Sequence, residues 1–167
     1  TDFRQKKDEF FASDHHSPLT QQQQHRFSGL RYYDESPRLK FTLGVSKFEK
    51  PEVMELQLST GEVTSYQRWG RIKFEVKGEP AGLTLFKDAG SGEFFLPFVD
   101  ATSGKETYGA GRYVEVQKLG GGRILVDFNY AYNPFCAYNE EWACPLTPFE
   151  NCLKVPIRAG ETNFKPG

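Results

Sequence analysis

The sequence is poor in methionine, cysteine, histidine and net charge. Among 167 residues it has one Met, three Cys and three His, with a formal charge of −1 and a pI near 6.3. That balance argues against a broad basic surface, since nucleic-acid-binding domains usually have a pI above about 9. No nucleic-acid or membrane partner is expected. No apolar run approaches the roughly 20 residues of a membrane helix, and no basic segment followed by an apolar stretch opens the chain. A soluble protein is expected, and because the first residue is Thr1, prior removal of an export signal stays open. The odd cysteine count and the lack of an Asn-x-Ser/Thr sequon lean towards a reducing compartment. A cytoplasmic location follows as the expectation.

The scarce metal ligands are also badly spaced. Zinc needs four donors, usually with two cysteines close together, whereas seven residues separate Cys136 from Cys144 and Cys144 from Cys152. His15 and His16 are adjacent, so on a strand or a helix they would diverge. No metal is expected, and packed thiols, a disulfide or a reactive thiol are the readings left for Cys136 and Cys144. Ser103-Gly104-Lys105-Glu106 lacks the Ser/Thr that ends a phosphate-binding loop and has Val99 where its first Gly belongs. That motif is rejected.

What is plentiful is aromatic residues, at 15%, with 16 Gly and 10 Pro. Such a composition favours short strands joined by tight turns. The length suits one domain over residues 1–167, burying roughly 70% of its unfolded surface, with residues 1–30 as a helical preface packed on the β core. Phe3, Phe10 and Phe11 alternate with charges at helical spacing over 2–11, as a lid or clasp. Ser17-Pro18 stops that helix, and Thr20 with Gln23 forms a capping box for a second one ending near 27–29.

From Arg38 the period changes to two. Phe41, Leu43 and Val45 share a face, as do Met54, Leu56 and Leu58. Strands follow over 63–69 and 71–77 around Gly70, then over 83–86, 93–98, 112–117, 124–129 and 154–157. Ile72, Phe74 and Val76 point inward while Lys73 and Glu75 point out, the pattern of an antiparallel sheet with one wet face. The fold class is mainly β: an antiparallel sandwich or partly open barrel of about eight or nine strands.

Chemistry-bearing residues concentrate in two stretches. Asp100, Thr102, Thr107, Tyr108, Arg112 and Tyr113 occupy a Gly-rich loop that can carry Arg112 to a carboxylate or phosphate. An internal Asp100–Arg112 salt bridge is the bland alternative. The second stretch holds Asp127, Asn129, Tyr132, Asn133 and Cys136. On a strand, Asp127 and Asn129 face the same way and could orient a substrate, ligate a hard cation or take a proton. Either residue could equally cap a turn, and Asn133-Pro134 initiates one.

The segments Lys7-Asp8-Glu9-Phe10-Phe11, Phe27-Ser28-Gly29-Leu30-Arg31-Tyr32, Thr107-Tyr108-Gly109-Ala110-Gly111-Arg112-Tyr113, Asp127-Phe128-Asn129-Tyr130-Ala131-Tyr132-Asn133-Pro134, Cys144-Pro145-Leu146 and Ala159-Gly160-Glu161 together resemble an uncharacterised bacterial and archaeal family, domain of unknown function sixteen-eighty-four. The resemblance spans nearly the whole chain and brings no activity, substrate or cofactor. It implies that the polar cluster is a family signature, that Cys136 and Cys144 share a role, and that Cys152, where Arg is more usual, is incidental.

Three readings follow. The first is a binding protein for a small polar or anionic ligand, held between the 100–113 loop and the 127–138 segment. The second is a hydrolase or isomerase with Asp127 or Asp100 as base, Arg112 stabilising negative charge and Tyr108 donating a proton; in one variant Cys136 is the nucleophile. The third is a structural or interaction module in which these residues lock the fold. Cofactor and oligomeric state are open.

Overall fold

A computed structural model describes residues 2–164. The preface forms α1 (Asp2–Ser13) and α2 (Gln21–Arg26). The capping box expected at α2 is present: Thr20 Oγ1 accepts the Gln23 N–H at 3.2 Å, and Gln23 Oε1 accepts the Thr20 N–H at 2.8 Å. Phe11 is the buried residue of α1, and it packs with Leu19 and Tyr138 in an aromatic cluster separate from the main core.

Ten strands follow among the described residues: β1 (Lys40–Gly44), β2 (Ser46–Lys47), β3 (Val53–Gln57), β4 (Val63–Val76), β5 (Glu79–Asp88), β6 (Phe94–Phe95), β7 (Pro97–Phe98), β8 (Arg112–Tyr113), β9 (Val116–Gly120) and β10 (Arg123–Asp127). One antiparallel sheet runs β1-β10-β9, a second runs β2-β4-β5-β6 with β3 also on β4, and β7 pairs β8. The sheets are not closed into a barrel. Both sheets bury their apolar faces in one cluster that includes Ile72, Phe74, Leu83, Leu85, Ile124 and Val126. Phe41 and Phe128 meet Phe74 at ring-centroid distances of 5.0 and 5.5 Å, so residues around both sheets meet in one aromatic knot. A fully buried side chain such as Ile72, Val126 or Phe128 stabilises the fold by about 1.5–3 kcal/mol.

Residues 63–76 form one strand, not two broken at Gly70. The chain passes that point through a β-bulge, where the register jumps from Arg68 opposite Phe86 to Gly70 opposite Leu85 and leaves Trp69 as the extra residue. Gly70 is required there, because a Cβ would fall 2.6 Å from Val45 Cγ1 and 3.0 Å from the Ser46 carbonyl. The strand expected over 112–117 is split into β8 and β9.

The strand expected over 154–157 does not form: the Val155 carbonyl accepts the Ala101 N–H, and the backbone groups of Ile157 are taken by side chains. Asp100 Oδ2 accepts the Ile157 N–H at 2.6 Å, and the Ile157 carbonyl receives Arg112 Nη2 at 2.8 Å. The 127–129 stretch also departs from a strand. β10 ends at Asp127, whose carboxylate caps a 3-10 turn over Phe128–Tyr130.

Candidate functional site

The hairpin of β7 and β8 carries the Gly-rich loop, and its base is a buried ion pair. Arg112 and Asp100 have side chains 0% exposed, with Nη2 3.6 Å from Oδ2. Arg112 Nη1 donates to the carbonyls of Ala159 at 2.5 Å and Glu161 at 3.0 Å. Burial pulls its pKa down, and the neighbouring Asp100 pushes it back up. Asp100 in turn accepts from Thr102 Oγ1 at 2.9 Å and Ser103 Oγ at 3.1 Å, and Thr102 and Thr107 share a further bond of 2.9 Å. These groups clamp residues 155–161 onto the hairpin. The internal salt bridge, the bland alternative, is what the chain builds, and Arg112 has no open face to offer an anion.

Asp127 and Asn129 converge, but on each other. Asp127 Oδ1 accepts from Asn129 N–H at 3.0 Å and from Asn129 Nδ2 at 2.9 Å. Asn129 then grips Ser36 through two main-chain bonds of 2.7 and 2.8 Å. The pair borders a surface hollow with Asp2, Arg4, Glu35 and Lys40, where charges of both signs meet. Asp100 and Arg112 lie elsewhere, inside the packing, so the single hollow expected around all four is not formed.

The remaining residues of the signature are also partnered. Tyr132 donates to Glu115 Oε1 at 2.7 Å, and Tyr113 donates to the Pro145 carbonyl. Tyr108 lies 3.8 Å from Cys136 Sγ, and burial raises its phenol to about 12, so it keeps its proton. Asn133 is 2% exposed and joins a network that the sequence did not reveal. In it, Glu161 accepts from Lys7, from the Tyr138 hydroxyl and, at 3.2 Å, from the Asn133 N–H. Lys7 and Glu161 sit in the first and last segments that carried the family resemblance, and that coincidence was the available signal.

His15 and His16 do not diverge as a strand or helix would require. They lie in the turn after α1 with ring centroids 4.0 Å apart, beside Asp14, and both are exposed.

A cleft of about 270 Å³ was not foreseen. It lies between the two main sheets and is bordered by Lys47, Trp69, Lys87, Phe94, Lys118 and Arg123, with Val45, Ile124 and two glycines of the β9–β10 turn. The bulge at Trp69 presents the indole beside β2, where Lys47 pairs with Gly70. Lys47 Nζ and Lys87 Nζ each lie 4.2 Å from the centroid of that indole. Lys118 Nζ lies 4.9 Å from the Phe94 ring. The lining has four cations and no carboxylate. Among the described residues none of the four makes an ion pair.

The family model described as a protein of unknown function (DUF1684) matches residues 25–162. The solution NMR structure of an uncharacterized protein of Haloarcula marismortui is similar to this chain at 36% identity, with a TM-score of 0.73, covering 96% of this chain and 90% of that one. No curated protein matches. The chain belongs to the DUF1684 family of proteins of unknown function.

Proposed function

We propose that this protein binds a small anion with a flat, apolar body in the cleft between its two main sheets. The negative charge of the ligand is what the sequence suggested, while its apolar body and the place are new, because Arg112 and Asp100 are occupied with each other and with the main chain. The observation that carries the reading is that two ammonium groups share one indole in a cleft without a carboxylate.

Their separation is at most about 8.4 Å, twice the centroid distance. Two like charges so placed repel by at least about 0.5 kcal/mol in water and at least about 2 kcal/mol at the effective dielectric of a protein surface. A carboxylate or phosphate seated near the indole reverses that term. The aromatic walls of Trp69 and Phe94 supply the apolar contact that fixes a flat body. A volume of about 270 Å³ sits just below the usual range for small-molecule sites, which limits the ligand to a compact molecule.

Calorimetric titration with 1-naphthoate and with its neutral counterpart 1-naphthalenemethanol tests this. The carboxylate is expected to bind saturably, and the alcohol at least tenfold more weakly. Equal binding of both, or of neither, would remove the electrostatic basis of the proposal.

A further inference from the structure

A second feature lies away from that cleft, where two thiols meet. Cys136 sits in a 3-10 turn over Phe135–Ala137, and its N–H donates to Cys144 Sγ at 3.3 Å. Cys144 is fixed from the other side: its N–H donates to Ser59 Oγ at 3.1 Å, and its carbonyl accepts the Ser59 N–H at 2.9 Å, which ties it to the residues after β3. Both cysteines are free and buried, while residues 140–143 between them are exposed. Tyr108 brings its hydroxyl to 3.8 Å from Cys136 Sγ.

We propose that Cys136 and Cys144 are a dithiol that oxidises to a reversible intramolecular disulfide with a hydroperoxide as the oxidant. The Cys136 thiolate attacks one peroxide oxygen. The O–O bond breaks, Cys136 becomes a sulfenic acid, and the departing oxygen takes up a proton as alcohol or water. Cys144 sulfur then attacks Cys136 Sγ, the S–S bond forms, and the S–O bond breaks. The hydroxide released collects the Cys144 proton as water. The two thiols give up two electrons to the peroxide, and an external dithiol restores them by exchange.

The local environment suits this division of labour. The neighbouring Cys144, with Tyr108 as a further contributor, lowers the Cys136 thiol to about 6, while Cys136 and burial raise that of Cys144. Cys136 is therefore the sulfur that carries the thiolate at neutral pH, and the thiolate is the nucleophile. The oxidant must touch Cys136 Sγ, and that residue keeps 6% of its surface open to solvent beside the exposed 140–143 segment.

The test uses the full chain carrying Cys152→Ser, so that the exposed third cysteine cannot form other links. The protein is treated with hydrogen peroxide and then denatured and alkylated without reduction. The expected product lacks two hydrogen atoms, takes up no alkyl group, and yields a peptide linked between Cys136 and Cys144; dithiothreitol restores two alkylatable thiols. Cys136→Ser and Cys144→Ser proteins are expected to give no such link, but the mapping of the parent decides alone if either fails to fold. The proposal is overturned if both thiols stay separately alkylatable after peroxide that fully oxidises glutathione in the same tube. It is equally overturned if each cysteine oxidises to sulfinic acid without the link.

Discussion

Arg112 Nη2 stands 3.6 Å from Asp100 Oδ2, with neither side chain reaching solvent. Around this pair the guanidinium spends its Nη donors on the carbonyls of Ile157, Ala159 and Glu161. A group so committed organises the fold. Removing one member of a buried pair leaves the other charge without compensation, which costs about 3–5 kcal/mol. Asp100→Ala and Arg112→Ala are therefore expected to lose that much stability in urea denaturation, or to fail to fold. A loss below about 1 kcal/mol in either variant would show that the pair is not the clamp described here.

The clasp between the two chain ends gives a second prediction. Lys7 on α1 reaches the carboxylate of Glu161, which is 1% exposed and also receives Tyr138 and Asn133. Lys7→Met keeps the length of the side chain and removes the charge. Its cost is expected near the lower end of the same range, about 3 kcal/mol, because Lys7 retains some access to water. Limited proteolysis of the variant should release α1 before the β core is cut. Simultaneous cleavage throughout the chain would contradict a local clasp.

A third prediction concerns acid. The bidentate bond from Arg68, at 3.0 and 2.7 Å, holds the Glu150 carboxyl below its ordinary value of 4.5, and Thr84 contributes a further bond. A carboxylate whose pKa is depressed in the folded state stabilises fully above the unfolded value and loses that contribution as pH falls through the folded one. Glu150→Gln should thus be less stable than the parent at pH 7, by about 1 kcal/mol given partial exposure, and the gap should close below pH 4.5. A gap that is constant with pH would assign the loss to packing instead.

Backbone geometry supplies a fourth. Gly160 has φ +79°, and a Cβ there would lie 2.6 Å from the Ala131 carbonyl oxygen and 2.8 Å from that of Phe128. Neither oxygen belongs to a side chain that can move aside. Gly160→Ala is expected to cost more than 2 kcal/mol by thermal denaturation, well above the roughly 1 kcal/mol at which substitutions centre. A loss at or below 1 kcal/mol would mean that the segment relaxes freely.

The strands were legible where one face alternates, as in Ile72, Phe74 and Val76, because period-two burial is a local property. The capping box at Thr20 and Gln23 was legible for the same reason. The segment 154–157 misled because its apolar alternation is real while its hydrogen bonds go to Asp100 and Arg112, more than forty residues away in sequence. The direction of the polar side chains was not legible: sequence gives residue type, and only tertiary packing decides whether Arg112 points to solvent. The cleft was invisible for a related reason. Nothing in the local pattern sets Lys47, Lys87, Lys118 and Arg123 apart, and only strand pairing and the Trp69 bulge gather them around one cleft.

That gathering is the centre of the functional proposal, and Trp69 reports on it directly. In a Trp142→Phe background, where Trp69 is the remaining indole, its fluorescence is followed during titration with 1-naphthoate, in the parent and in a Lys87→Glu/Lys118→Glu variant. The parent is expected to show a saturable change, and the charge-reversed variant, folded to the same melting temperature, an affinity at least tenfold lower, about 1.4 kcal/mol. Unchanged affinity in the variant, or no saturable change in the parent, would contradict the cleft as an anion site.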